Sequence, residues 1–137
     1  MSTIVFDCEP LNTLIRQESK LSELKKVQAL LVAASAQDAD LVVPAAVIAE
    51  LYRGTHAAGV DTWLNRHRAW LIQDTTRELA RVVGKLLDSA GRGSEDHVDG
   101  CVVASAIVAG GGTIVTGDSR DISTIAAGNA ALTVVSL

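Results

Sequence analysis

The stretch VDGCVVASAIVAGGGTIVTGD, residues 98–118, decides the fold class of this chain. Its segment 100–117 is the longest run without a charged residue, and its length alone would suit a membrane span. Three consecutive glycines at 110–112 interrupt the run, and the residues that follow them, 113–115, are all β-branched. The stretch therefore predicts a buried helix, a turn and a buried strand, and no membrane span.

The other apolar runs of the chain alternate between strand and helix patterns. The strand pattern predicts strands at 3–6, 41–43, 113–116 and 132–135, with a short strand or an extended loop at 70–72. Helical spacing predicts helices at 11–15, 21–31, 44–52, 61–68, 78–90, 94–109 and 122–127, with Ser94 as the N-cap of the helix that ends at 109. Because each strand is a continuous apolar run, we predict a mostly parallel sheet that helices cover on both faces, an α/β/α sandwich.

Composition narrows the class of protein. A chain of 137 residues suits a single domain spanning 1–137, and 48% hydrophobic with 20% charged residues excludes intrinsic disorder. Aromatic residues, at 3%, are too few for the stacking platform of single-strand binders. Cys8 and Cys101 lie far apart and form no CxxC pair, so neither a disulfide framework nor a zinc site is predicted. With no signal-peptide pattern at the N-terminus, we expect a cytoplasmic protein.

Charge is distributed unevenly along the chain. The net charge is -4, but residues 53–92 hold seven basic and four acidic side chains, whereas acids predominate in 1–52 and 93–137. This separation suits a protein that holds a polyanion beside a pocket for cations.

Four carboxylates stand where the pattern predicts apolar residues: Asp7, Glu50, Asp99 and Asp118. Asp7 and Asp118 directly follow predicted strands, and the carboxyl ends of parallel strands meet at one edge of a sheet. The predicted helices that carry Glu50 and Asp99 can reach this edge. A half-buried cluster of like charges needs protons or a cation, and oxygen ligands select Mg²⁺ or Mn²⁺. The four acids therefore predict a metal site.

Each acid taken alone also fits a structural role. Asp7 and Asp118 have the sequence context of capping residues, and Glu50 has Arg53 three positions on as a helical partner. Asp99 is harder to explain in this way, because apolar residues follow it in the middle of the predicted helix. The prediction of a site therefore depends on the four acids together.

Two more acids, Glu95 and Asp96, follow the predicted cap Ser94. Acids in the first turn of a helix complement its macrodipole. We interpret both as helix-stabilising residues outside the site.

The order of the acids resembles that of the PIN-domain nucleases, and within them the VapC-type toxins of bacterial toxin–antitoxin pairs. Four segments carry the resemblance: IVFD at 4–7, VIAELYRG at 47–54, VDGCVVASA at 98–106 and IVTGDSRDI at 114–122. Each motif is loose by itself, but their order at this chain length is specific, and the similarity covers nearly the whole chain.

The resemblance implies an α/β/α sandwich, a Mg²⁺ or Mn²⁺ ion, cleavage of structured RNA and a homodimer. It also implies a small VapB-like antitoxin whose C-terminal region, commonly basic, enters the acidic pocket. The hydroxyl of Thr116 would hold the site. The metal-binding acids of the family fall on Asp7, Glu50, Asp99 and Asp118, with Asp121 as a further candidate.

The chain departs from the family pattern at two positions. Glu9 stands two residues after the first acid, where the family often has a small polar residue, and it would perturb the pocket or add a ligand. Gly100 replaces the usual alanine and would loosen the start of its helix.

The sequence thus predicts a metal-dependent endoribonuclease that acts as a toxin. Asp7, Asp99 and Asp118 would hold the ion, and Glu50 would act as a ligand or as the base that positions water. Four basic residues are expected to contact RNA phosphates: Arg53, Arg66, Arg68 and Arg92.

Other functions fit parts of this pattern. An RNA-processing PIN nuclease without a toxin role would share the same acids. An inactive PIN-fold binding partner would keep the fold without catalysis, and the four intact acids tell against it. A receiver-like signalling domain needs a lysine after a late strand to hold its phosphoryl group. No lysine follows Lys85 in this chain, which tells against that class.

Overall fold

The computed structural model describes residues 2–17 and 21–137. The strands are β1 (Thr3–Phe6), β2 (Asp40–Pro44), β3 (Leu71–Gln73), β4 (Gly112–Thr116) and β5 (Leu132–Ser136). The helices are α1 (Cys8–Arg16), α2 (Leu21–Ala36), α3 (Ala45–Leu51), α4 (Ala57–Arg66), α5 (Arg77–Ser89), α6 (His97–Val108) and α7 (Ser119–Ala126).

The five strands form one parallel sheet in the order β3-β2-β1-β4-β5. Val5 of β1 is paired with Val42 of β2 on one side and with Ile114 of β4 on the other. The chain proceeds from β1 towards β3 in one direction and from β4 to β5 in the other, so the order reverses between β1 and β4. Crevices at such a reversal are where doubly wound sheets bind ligands.

Helices cover both faces of the sheet. Because crossovers between parallel strands are generally right-handed, the strand order implies that α1–α4 cover one face and α5–α7 the other. The packing agrees with this arrangement, since α1 contacts α2, α3 and α4, while α6 contacts α5 and α7. The predicted α/β/α sandwich with a parallel sheet is therefore confirmed.

Helix α6 is the most buried helix of the structure. All its residues at 100–106 are buried, and it contacts β1, β2 and β4 as well as its helical neighbours. A helix that is apolar on every side is stable only inside a protein. The long uncharged run 100–117 is accounted for by α6, a glycine turn and β4. Within the described part of the chain, no helix combines the length and the apolar composition needed to cross a bilayer.

The predicted start of α6 was wrong. Ser94 does not cap the helix: it begins a 3-10 turn at Ser94–Asp96, and α6 begins at His97. Asp96 precedes the first helical residue but makes no side-chain capping bond. Its carboxylate instead accepts a hydrogen bond from Arg92, four residues earlier in the chain.

Candidate active site

An acidic cavity of about 340 Å³ lies at the carboxyl ends of β1 and β4. Its position is the reversal point of the strand order, as expected for a parallel sheet. The lining residues are Asp7, Cys8, Glu9, Glu50, Glu95, Val98, Asp99 and Asp118. All four acids that the sequence predicts as a site thus line one cavity, although they come from separate elements of the chain.

Asp7 is a buried acid at the junction of β1 and α1. One of its oxygens accepts a hydrogen bond from the backbone N–H of Cys8 at 2.7 Å, so Asp7 caps α1. The other oxygen, Oδ2, accepts a hydrogen bond from the Thr116 hydroxyl at 2.8 Å. The capping role and the site role therefore belong to the same carboxylate.

Thr116 connects the two acids that follow the strands. While its hydroxyl donates to Asp7, the same oxygen accepts a hydrogen bond from the backbone N–H of Asp118 at 3.0 Å. Asp118 itself caps α7, accepting a hydrogen bond from the N–H of Asp121 at 3.4 Å. One buried hydroxyl thus fixes Asp7 directly and the backbone of Asp118 beside it.

Glu50 lies near the end of α3, and Arg53 donates a hydrogen bond to it at 3.0 Å. The side chain of Arg53 is 76% exposed and that of Glu50 is 37% exposed. An ion pair this exposed contributes about 0–1 kcal/mol. Glu50 therefore has the partner expected from helical spacing. Because this ion pair is weak, Glu50 can exchange Arg53 for another cation.

Asp99 is a partly buried acid near the start of α6, and its surroundings alter its titration. Burial, and after it the negative charges of Asp7, Asp121, Asp96 and Asp118, raise the pKa of Asp99 to about 6. A carboxyl group in such surroundings holds a proton or a cation more readily than an exposed one does. This is the electrostatic condition that the sequence leads us to expect.

The cavity contains one soft donor, Cys8. Burial and the charges of Asp7 and Glu50 raise the pKa of its thiol to about 11, so the thiol is neutral at pH 7. Only carboxylate oxygens then offer negative charge to an ion, and this donor set suits Mg²⁺ or Mn²⁺.

A second group of acids adjoins the cavity and shares Asp99 with it. One carboxylate oxygen of each of Asp96, Asp99 and Asp121 lies within 4.8 Å of the other two. Asp7, Glu50 and Asp118 do not belong to a group this close, so an ion held by the four predicted acids would require their side chains to turn inward. Arg92 donates hydrogen bonds to Asp121 at 3.1 Å and to Asp96 at 3.4 Å.

Two further acids line the cavity besides the four predicted ones. Glu9 is the departure from the family pattern, and its carboxylate lies against Gly117, where a Cβ atom would overlap it. Glu95 lines the cavity, although its sequence context indicates a first-turn acid outside the site. Its spacing of four residues from Asp99 is the available signal, because residues four apart share a helix face.

The four arginines expected to contact RNA lie in two kinds of surroundings. Arg53 and Arg92 are paired with acids of the site or beside it. Arg66 and Arg68 are exposed, at the end of α4 and just after it.

A larger groove of about 530 Å³ lies beside Arg66, between α1 and α4. Residues such as Leu14, Ile15 and Trp63 line it, together with His67 but no carboxylate. It therefore lacks the groups that metal-dependent hydrolysis needs, and the acidic cavity is the better candidate for an active site despite its smaller volume.

The structure is similar to two known complexes. It matches a chain of VapBC2 from Rickettsia felis, solved bound to a DNA fragment from their promoter, with a TM-score of 0.68 and 17% identity over 98% of both chains. It matches a chain of FitAcB from Neisseria gonorrhoeae with a TM-score of 0.66 and 16% identity, over 96% of this chain and 95% of that one.

No protein-family model and no curated protein sequence matches the chain. The similarity to VapBC2 and FitAcB therefore lies in the fold. It confirms, at the level of the fold, the resemblance to VapC-type PIN-domain proteins predicted from the sequence.

Proposed function

We propose that this chain is a metal-dependent endoribonuclease and the toxin of a type II toxin–antitoxin pair. The observation that carries the proposal is the convergence of Asp7, Glu50, Asp99 and Asp118 on one cavity at the carboxyl ends of β1 and β4. These acids are separated by 43, 49 and 19 positions along the chain, so only the fold brings them together. A structural role alone does not account for four carboxylates in a single half-buried cavity.

The acids of the cavity would have separate roles in hydrolysis. Asp7, Asp99 and Asp118 would hold Mg²⁺ or Mn²⁺. Asp121 would be a further ligand only after leaving Arg92, which holds it in the structure. The bound ion would lower the pKa of a water molecule and stabilise the charge that develops on the phosphate. Glu50 would accept the proton of the water that attacks phosphorus in line with the departing ribose oxygen, or act as a further ligand.

Thr116 would keep the site in order during this reaction. Its hydroxyl holds one oxygen of Asp7, which leaves the orientation of that carboxylate fixed. A fixed ligand has no rotamer freedom to lose when an ion binds.

RNA would approach through basic side chains. Arg66 and Arg68 are exposed and available to phosphates, whereas Arg53 and Arg92 would have to leave their carboxylate partners first. We therefore expect Arg66 and Arg68 to contribute more to RNA affinity. Replacing either of these two arginines with glutamine should reduce the salt dependence of RNA binding as well as the affinity.

The partners follow from the same arrangement. VapBC2 and FitAcB support a protein antitoxin as the natural partner. A basic C-terminal segment of such an antitoxin would complement the acidic cavity and block it. We also propose a homodimer, and action on RNA in the cytoplasm.

The test is cleavage of total cellular RNA by the purified chain with Mg²⁺ or Mn²⁺. We expect discrete fragments that disappear with EDTA and decrease by roughly a hundredfold or more in Asp99→Asn, because that variant removes a metal ligand. Asp88→Asn, an exposed acid of α5, is the matched control and should cleave like the wild type.

Three outcomes separate the proposal from its alternatives. Cleavage that survives Asp7→Asn and Asp99→Asn would refute the assigned site. Mn²⁺ binding in calorimetry without cleavage of any RNA would indicate an inactive binding partner. Cleavage without growth arrest on expression in a bacterial host would indicate an RNA-processing nuclease with no toxin role.

A further inference from the structure

Arg92 is a cation between two acids that lie beside the cavity but do not line it. It precedes the 3-10 turn, and its Nη1 donates hydrogen bonds to Asp121 Oδ1 at 3.1 Å and to Asp96 Oδ2 at 3.4 Å. The three side chains are partly buried, with 28% of Arg92, 16% of Asp96 and 32% of Asp121 exposed. This makes the pairing less screened by water than that of Arg53 with Glu50.

The acids that Arg92 contacts form a close group with Asp99. Oxygens of Asp96, Asp99 and Asp121 lie within 4.8 Å of one another, and three negative charges this close would repel one another strongly without a cation. Arg92 supplies one positive charge to this group. Of the three acids, Asp99 alone also lines the cavity. The two hydrogen bonds of Arg92 described above go to Asp96 and Asp121, and neither goes to Asp99.

We propose that Arg92 is a built-in counter-ion that occupies the place of a divalent cation among Asp96, Asp99 and Asp121. It is a positioning residue: its hydrogen bonds hold the carboxylates of Asp96 and Asp121, while the carboxylate of Asp99 remains available to an ion in the cavity. It thereby sets how many divalent ions the acidic edge of the sheet accepts. The inference rests on the proposed metal-dependent function for its biological meaning. The role of Arg92 itself is tested by ion binding, without any measurement of RNA cleavage.

The arrangement also explains why an arginine suits this position. A guanidinium group is planar, remains charged at any pH that the folded chain tolerates and has several donors in a fixed geometry. It can therefore bridge carboxylates on two elements, here the turn before α6 and the first turn of α7. A lysine would supply the charge with a less fixed geometry.

The experiment counts Mn²⁺ ions bound per chain by calorimetry, in the wild type, Arg92→Gln and Arg92→Lys. Glutamine keeps a polar side chain but removes the charge, so we expect Arg92→Gln to bind one Mn²⁺ more than the wild type. Arg92→Lys should bind the wild-type number. Adding Asp121→Asn to Arg92→Gln should remove the additional ion, because it removes one of the three acids.

Thermal unfolding gives an independent readout. Metal-free Arg92→Gln should have a lower Tm than the wild type, and Mn²⁺ should raise its Tm by more, since an extra ion binds only the folded chain. An ion present at a hundredfold excess over its Kd favours the folded state about a hundredfold. A merely structural ion pair would lower the Tm of Arg92→Gln without this added response to Mn²⁺.

The results separate this inference from the proposed function. An additional ion in Arg92→Gln supports it even if the wild type binds no Mn²⁺ and cleaves no RNA. A variant that folds only when Mn²⁺ is added also supports it. An unchanged number of ions, an additional ion that persists with Asp121→Asn, or a variant that stays unfolded with Mn²⁺ present would overturn it.

Discussion

Asp99 is the residue that belongs to both acidic groups of this protein. It lines the cavity with Asp7 and Asp118, and its carboxylate lies within 4.8 Å of those of Asp96 and Asp121. Its place in the middle of an apolar segment is visible in the sequence, which is why the sequence predicts a functional role for it. The sequence also predicts that Asp7 and Asp118 gather near it, and Asp96 is only three positions away. The closeness of Asp121, in contrast, depends on how α7 packs against α6.

The raised pKa of Asp99 predicts a specific pH dependence of stability in the metal-free chain. The pKa is about 6 in the folded state and 3.8 for an ordinary aspartate, so the folded chain binds more protons between these values. Stability contributed by the protonated group is therefore lost as the pH rises from about 4 to about 6. The Tm of Asp99→Asn minus that of the wild type should increase over this range, measured in EDTA by circular dichroism.

Asp88→Asn serves as the control for this measurement, since Asp88 is exposed on α5 away from the acidic groups. The Tm difference between Asp88→Asn and the wild type should stay nearly constant from pH 4 to pH 7. A constant difference for Asp99→Asn as well would mean that burial and neighbouring charges do not raise the pKa of Asp99.

The elements follow the apolar pattern closely, but several helices begin away from the predicted residue. The strand predicted at 3–6 is confirmed at its predicted bounds, and those predicted at 41–43, 113–116 and 132–135 agree to within one residue at each end. Helix α1 begins at Cys8, earlier than its leucine spacing indicates, because Asp7 caps it and Pro10 lies in the first turn, where no N–H is needed. Helix α4 begins at Ala57, four residues before the predicted start.

Gly100 shows how packing between elements changes the meaning of a residue. The sequence predicts that glycine in place of alanine loosens the start of α6. In the structure Gly100 is buried against α5, and a Cβ atom there would lie 3.0 Å from Val83 Cγ1 and 3.4 Å from Leu87. The glycine therefore allows α5 and α6 to approach closely.

We predict different outcomes for Gly84→Ala in α5 and Gly100→Ala in α6. Both substitutions gain about 1 kcal/mol of helix propensity. A Cβ atom at Gly84 meets nothing within 4 Å, so Gly84→Ala should realise this gain in the free energy of unfolding. Gly100→Ala should gain less or lose stability, because Val83 has to move. Urea denaturation measures the free energy of unfolding of both variants. Equal gains would contradict this prediction, because they would mean that Val83 and Leu87 accommodate the added Cβ atom without a loss of stability.

At the scale of the whole molecule, a side-chain hydrogen bond connects the ends of the adjacent strands β1 and β4. Thr116 at the end of β4 donates to Asp7 after β1, across 109 positions of sequence. The sequence singles out the two residues separately, and the resemblance implies that the hydroxyl holds the site. Their contact depends on β1 and β4 being adjacent in the sheet, which only the topology decides.

Thr116→Val should therefore destabilise the protein as well as the site. Valine has nearly the same shape but no hydroxyl, so a buried carboxylate loses a donor, at a cost of roughly 1.5–3 kcal/mol in the free energy of unfolding. Urea denaturation measures the loss, and Mn²⁺ affinity should fall in the same variant. Thr133→Val, on the exposed side of β5, is the matched control, and Thr116→Ser should restore most of both properties. A loss in Thr133→Val as large as that in Thr116→Val would contradict the role of the bond.

The sequence by itself determined the class of fold and the acids that gather at one edge of the sheet. Apolar periodicity is set by local geometry and burial, and an acid in an apolar segment is conspicuous wherever it lies. Only the tertiary structure decided that Arg92 also meets Asp121, 29 positions further along the chain, and that Glu95 lines the cavity. Polar side chains at element ends have no periodic pattern, and their partners depend on strand order and helix packing, so their interactions become visible only when the chain is folded.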